Sequence, residues 1–131
     1  MSDTFETDLV AYYGRYQEID GIARDNDEVV MSIADPVLLK FMIKESHSDA
    51  DADAVLVKTS AVATEINKID DAAGTYRVFL ESSDMEALVG GRKYVYEVIH
   101  VDDPAAVKPK AYALNQGDFD VRVTTIRTIT S

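Results

Sequence analysis

A chain of 131 residues, 47% hydrophobic and free of cysteine, can bury one core unaided, and it excludes a disulfide framework and any thiolate metal site. Its 13 basic residues face 24 acidic ones, a net charge of −11, and residues 1–60 hold 13 of the acids against 5 bases. Such a chain repels phosphate backbones, so no direct nucleic-acid partner is expected, and its apolar runs are too short for a membrane-spanning helix.

Residues 1–17 fit two readings. Phe5, Leu9, Tyr12, Tyr13 and Tyr16 recur at helical spacing, which describes an amphipathic helix. Gly14 interrupts that pattern at a cost of roughly 1 kcal/mol, and clustered tyrosines suit a strand edge. The preferred reading is an extended Val10–Gln17, with residues 1–17 set apart as a partner-contact arm and residues 18–131 as the folded domain. The opening Met1-Ser-Asp-Thr-Phe-Glu6 carries acids where a secretory signal needs bases, so no leader is expected.

Asp20-Gly21 and Asp25-Asn-Asp27 read as turns, because short polar side chains bond their own backbone and glycine accepts positive φ. Glu28–Ile33 reads as a strand ending before Asp35-Pro36. In Val37–Lys44, Val37, Leu39, Phe41 and Ile43 alternate with Leu38, Lys40, Met42 and Lys44, the period of a half-buried strand. Glu45–Asp53 is a polar loop, Ala54–Thr59 a strand, and Ala63–Ile69 its expected hairpin partner. Asp70–Gly74 turns into the strand Thr75–Leu80, where Tyr76, Val78 and Leu80 share a face. Ser83 and Glu86 have capping-box spacing for a helical turn over residues 83–88. Gly90-Gly91 then reverses the chain into the strand Arg92–Val101. A proline-broken loop over 102–110 leads to two final strands, Lys110–Leu114 and Asp118–Arg127, expected to form a hairpin around Asn115-Gln-Gly117. Short strands separated by frequent turns predict one all-β antiparallel sandwich or barrel with a single helical turn.

Catalytic chemistry finds no foothold in this pattern. Asp49-Ala-Asp-Ala-Asp53 suggests calcium, yet an EF-hand loop needs glycine at position six and glutamate at twelve, where Ala54 and Ser60 stand. His47 and His100 have no second histidine at ligand spacing and read as surface or rim residues. There is neither a Gly-x-Ser-x-Gly elbow nor a phosphate loop around Gly90-Gly91. No enzyme, metal or cofactor is expected, with a weak calcium site of another kind at Asp49–Asp53 left open as the alternative. Phe5, Tyr12, Tyr13 and Tyr16 are the candidate partner contacts, since tyrosine combines large area with a polar tip, the alternative for the tyrosines being ordinary core or sheet-face packing.

From about Tyr13 to Thr125 the chain resembles the small Ig-like β-sandwich domains of tailed-phage virion proteins, notably the N-terminal domain of baseplate upper proteins and related tail or fibre-attachment modules. The likeness is carried by Gly14, Pro36 through Lys44, Ala52-Asp-Ala-Val-Leu-Val-Lys58, Gly74-Thr-Tyr-Arg-Val-Phe-Leu80, Ser83-Asp84, Leu88, Gly91, Tyr94-Val-Tyr-Glu-Val98 and Gly117-Asp-Phe-Asp-Val121. Met85 departs from it, standing where a threonine is usual, as does the acidic first loop. The resemblance implies an Ig-like sandwich and a non-enzymatic virion protein, made in the host cytoplasm. Its expected partners are other virion proteins, repeated in a symmetric assembly at a tail, baseplate or neck. The alternative is a module that binds a host-surface glycan or protein.

Overall fold

The computed structural model describes residues 5–6, 8–25 and 27–123. Their strands are β1 (Phe5–Glu6), β2 (Leu9–Tyr12), β3 (Gln17–Ile22), β4 (Leu38–Lys44), β5 (Leu56–Thr59), β6 (Ile66–Asp70), β7 (Thr75–Leu80), β8 (Lys93–Val101) and β9 (Ala111–Arg122). A 3₁₀ turn covers Asp51–Asp53, and one helical turn, α1, covers Ser82–Glu86.

Alternation sorts these strands into two layers. One sheet runs β1-β9-β8-β4-β5, with β2 also on β9; the other runs β3-β7-β6. All pairings are antiparallel except those of β1 and β2, which lie parallel to β9. This is the strand order of the immunoglobulin sandwich: β9, β8, β4 and β5 take the places of G, F, C and C′, and β3, β7 and β6 those of B, E and D. The first strand joins the G position rather than B, so among the described residues β3 pairs only with β7.

Between the layers sit Leu39, Phe41 and Ile43 of β4, Tyr76, Val78 and Leu80 of β7, Tyr94, Tyr96 and Val98 of β8, and Phe119 and Val121 of β9. Phe41 stacks on Tyr96 at 5.8 Å, and Phe119 meets both edge-on at 6.4 and 6.5 Å, the offset and T-shaped geometries that aromatic quadrupoles favour. In antibody domains a disulfide and a tryptophan pin the two sheets, and the second cysteine lies two residues after a corner tyrosine. Here Tyr94 is that corner: its hydroxyl accepts the Val89 N–H at 3.0 Å, and Tyr96 stands in the cysteine's place. Aromatic packing thus occupies the position of the cross-link.

Several expectations need correction. Asp20-Gly21 lies inside β3, not in a turn, and Gly21 pairs with Tyr76. A Cβ there would run into the Tyr76 phenol. Likewise no hairpin forms at Asn115-Gln-Gly117: β9 is one twelve-residue strand, and Gly117 pairs with Tyr96. Each glycine lies opposite a core tyrosine across the sheet. A bulge between Val98 and Ile99 in the β8–β9 register absorbs one extra residue of β9.

Glu28–Ile33 is not a strand but a segment with one isolated bridge, Arg24 to Val30. Glu28 has φ 65°, and the Asp25 carboxylate accepts the N–H groups of Asp27 and Val29, which bends the chain away from an extended path. Ala63–Ile69 does not pair with Ala54–Thr59. β5 ends the large sheet, while β6 enters the small one, where buried Ile66 faces the core. The capping box sits earlier than Ser83 and Glu86, with Asp84 accepting the Glu81 N–H at 2.8 Å. Asp84 also meets the Lys58 ammonium at 2.6 Å, tying α1 to β5, while Met85 and Leu88 anchor the turn in the core. The extended reading of Val10–Gln17 is broken by a turn at Tyr13-Gly14 between β2 and β3, and β9 supplies a strand partner for the N-terminal segment.

Candidate functional site

Gly14 places the exposed tyrosines. Its φ of 70° lets β2 give way to β3 within a few residues, so that the chain passes from one sheet to the other. Tyr13 N–H donates to the Arg122 carbonyl at 2.8 Å, and Arg15 N–H to the Tyr12 carbonyl at 3.1 Å, which fixes this corner. Tyr12, Tyr13 and Tyr16 are 41%, 43% and 48% exposed, so their rings are not part of the core. Tyr13 lies against Gly90, where a Cβ would approach its ring to 3.4 Å and Val123 Cγ2 to 2.6 Å. Val89 and Val123 are exposed as well, and they extend the apolar patch around Tyr13. Phe5 pairs through its backbone with Asn115, whereas its side chain lies outside the described structure.

Tyr16 differs from its neighbours in being held. Its hydroxyl donates to Glu18 Oε2 at 2.8 Å. That hydrogen bond, together with the negative charges of Glu18 and Glu81, raises the phenol's pKa, with Arg77 opposing. Arg77 itself reaches across to Asp20, donating to both carboxylate oxygens at 2.7 and 3.2 Å, and this contact lowers the Asp20 pKa. The field at this corner is negative.

The acidic loop has a structural task. Lys44, expected on a wet face, is only 3% exposed, and its ammonium donates to the Asp49 carbonyl, Asp51 Oδ1 and Glu97 Oε1 at 3.1, 2.8 and 2.8 Å. Burial works against the charge, but the two carboxylates outweigh it and the ammonium pKa is raised. Asp49 Oδ2 accepts the Ser46 N–H, so Asp49 and Asp51 are both engaged within the fold. Among the described residues no group of three or more His, Asp or Glu side chains is arranged to hold a metal ion, and no helix is long and apolar enough to cross a membrane.

The two histidines part company. His47 is exposed in the loop. His100 is 2% exposed, a correction to its reading as a surface or rim residue, because β8 runs on to Val101 and keeps His100 in phase with Tyr96 and Val98. Its Nε2 lies 3.2 Å from the Ser32 carbonyl oxygen, its ring meets Tyr112 edge-on at 5.8 Å, and its Nδ1 has no hydrogen-bond partner.

Sequence reasoning also passed over a groove on the outer face of the small sheet. It is lined by Tyr16, Ala63, Thr64, Asn67, Phe79 and Glu81 and holds about 320 Å³. Phe79 gave the available signal: it occupies the outward phase of β7, opposite Glu18 on β3. No protein-family model matches the chain, and no curated protein matches it.

Proposed function

We propose that this chain is a non-enzymatic structural protein of a tailed-phage particle, an adaptor or fibre-anchoring module of the tail, baseplate or neck. It works by surface complementarity repeated by symmetry: a small rigid module presents one interface, and copy number supplies avidity. The observation that carries this reading is the corner where Tyr12, Tyr13 and Tyr16 stand 41–48% exposed on a backbone pinned to β9. Rings held out on an ordered scaffold are poor for solubility and good for contact, because they bury large area at little cost in conformational entropy. The resemblance to small virion sandwiches supplies the setting, and the partners would be other virion proteins in multiple copies. The test is the composition of the native particle: purified virions should contain this chain at a fixed stoichiometry, and its absence from them rejects the proposal.

A further inference from the structure

The outer face of the β3-β7-β6 sheet carries an unusual mixture. Phe79 is half-buried in the outward phase of β7, Glu18 is its cross-strand neighbour, and Tyr16 leans on Glu18 through its hydroxyl. Glu81 closes one side of the groove, with Thr64 and Asn67 on the strand β6 side. Glu18, Asp20 and Glu81 share this surface with Arg77, whose closest contact is Asp20 at 2.7 Å, with Glu18 farther at 3.5 Å. The groove volume, about 320 Å³, sits at the small end of ligand pockets, roughly 300–1,000 Å³, and accepts one long side chain rather than a large molecule.

We propose that this groove is a docking site for a cationic side chain, arginine above lysine, presented by a basic segment of a partner protein. Aromatic faces attract a cation through their quadrupoles, and a guanidinium adds planar stacking and directional hydrogen bonds to carboxylates. Tyr16 and Phe79 provide the faces, and Glu18 and Glu81 provide the charge. The net charge of −11 acts at longer range, steering a basic partner towards the molecule before the groove selects it. The raised Tyr16 pKa, caused by Glu18 and Glu81, agrees with a negative field at the groove. This inference deepens the adaptor reading by naming the chemistry of its neighbour, and it rests on that reading only for the neighbour's being a virion protein.

The test is a binding titration of the full chain with a labelled nine-residue peptide of alternating arginine and threonine, beside its citrulline and lysine counterparts. Citrulline keeps the shape of arginine and removes the charge. Citrulline should weaken binding at least about tenfold and lysine by less. Tyr16→Ala and Glu81→Gln should each weaken the arginine peptide about three- to tenfold, with the circular dichroism unchanged, and Asp53→Asn, an exposed acid elsewhere, should leave it within about twofold. If Asp53→Asn costs as much as Glu81→Gln, or Tyr16→Ala costs nothing, the attraction is general charge and the site is rejected. A neutral glycoside that saturates the groove and displaces the peptide also rejects it, in favour of a carbohydrate site. Failure of the two proposals is separable: presence in the particle without peptide binding rejects only the groove. Peptide binding without presence in the particle rejects only the virion assignment.

Discussion

The chain uses tyrosine in two opposite ways, and the contrast shows what decides burial. Tyr76, Tyr94 and Tyr96 are 1–2% exposed, while Tyr12, Tyr13 and Tyr16 are at least 41% exposed. Composition is the same in both sets; strand phase and the residue across the sheet differ. Tyr76 and Tyr96 each lie opposite a glycine, and at Gly21 the missing side chain frees volume that the Tyr76 phenol fills. Tyr12 and Tyr13 sit where β2 ends in a turn, and among the described residues no facing strand covers them.

Experiments on the two sets of tyrosines test that contrast. The largest effect is expected from Tyr96→Ala, which removes the ring that stacks on Phe41 and abuts Phe119; a loss of about 3–5 kcal/mol in denaturant unfolding is expected for a large aromatic truncation. High pH should act on the same set. Burial pushes the Tyr96 pKa up to about 12 from 10.0, with Asp8 adding to the shift, and burial raises the Tyr76 pKa further. A raised pKa in the folded state means stability that is complete below about pH 10 and lost as pH rises through about 12. Melting followed with ultraviolet difference spectra should therefore show Tyr96 and Tyr76 ionising together with unfolding. Gradual ionisation in a still-folded protein would contradict their burial.

Gly21→Ala drives a methyl group into the Tyr76 phenol, and overpacking of this kind costs about 1–3 kcal/mol. Pairing it with Tyr76→Phe should recover part of the loss, because the hydroxyl is the nearest obstacle; no recovery would place the strain elsewhere. Tyr94→Phe deletes the corner hydrogen bond from Val89 and should cost about 1 kcal/mol, read as a shift of the urea midpoint at constant slope. Tyr12→Ala, by contrast, should change stability by no more than about 0.5 kcal/mol, the usual range for exposed sites. A larger loss would move Tyr12 from the contact set into the fold.

How far the sequence reads through follows from the same physics. β7 and β8 were legible because one face of each alternates cleanly into the core, as in Tyr76, Val78 and Leu80, while in β4 Met42 of the expected outer face is buried along with Leu39, Phe41 and Ile43. The residues around Gly21 and Gly117 were misread because glycine beside aspartate or asparagine normally signals a turn. Each lies opposite a tyrosine far off in sequence, 55 positions away in one case and 21 in the other, information that no local window contains. Lys44 was misread for a related reason. Its phase is outward, and only the return of the acidic loop, with Asp49 and Asp51, buries it. At the candidate site Tyr12, Tyr13 and Tyr16 are exposed beside the turn that ends β2. The groove was missed because Asn67 of β6, Phe79 of β7 and Tyr16, just before β3, meet only after folding.

The parallel pairing of β2 with β9 also has a mechanical meaning. Tension entering before Leu9 and leaving after Arg122 pulls the two strands in opposite directions along their shared axis. The hydrogen bonds between them lie across that axis, so they share the load together instead of opening one at a time as a hairpin would. β1 lengthens the same seam at Asn115 and Gln116. A domain built in this way resists stretching through its ends and yields more readily when pulled through β5, whose hydrogen bonds to β4 can open singly from one end. Single-molecule pulling along the two directions should give the higher rupture force for the β2–β9 axis. Equal forces would mean that this seam carries no load.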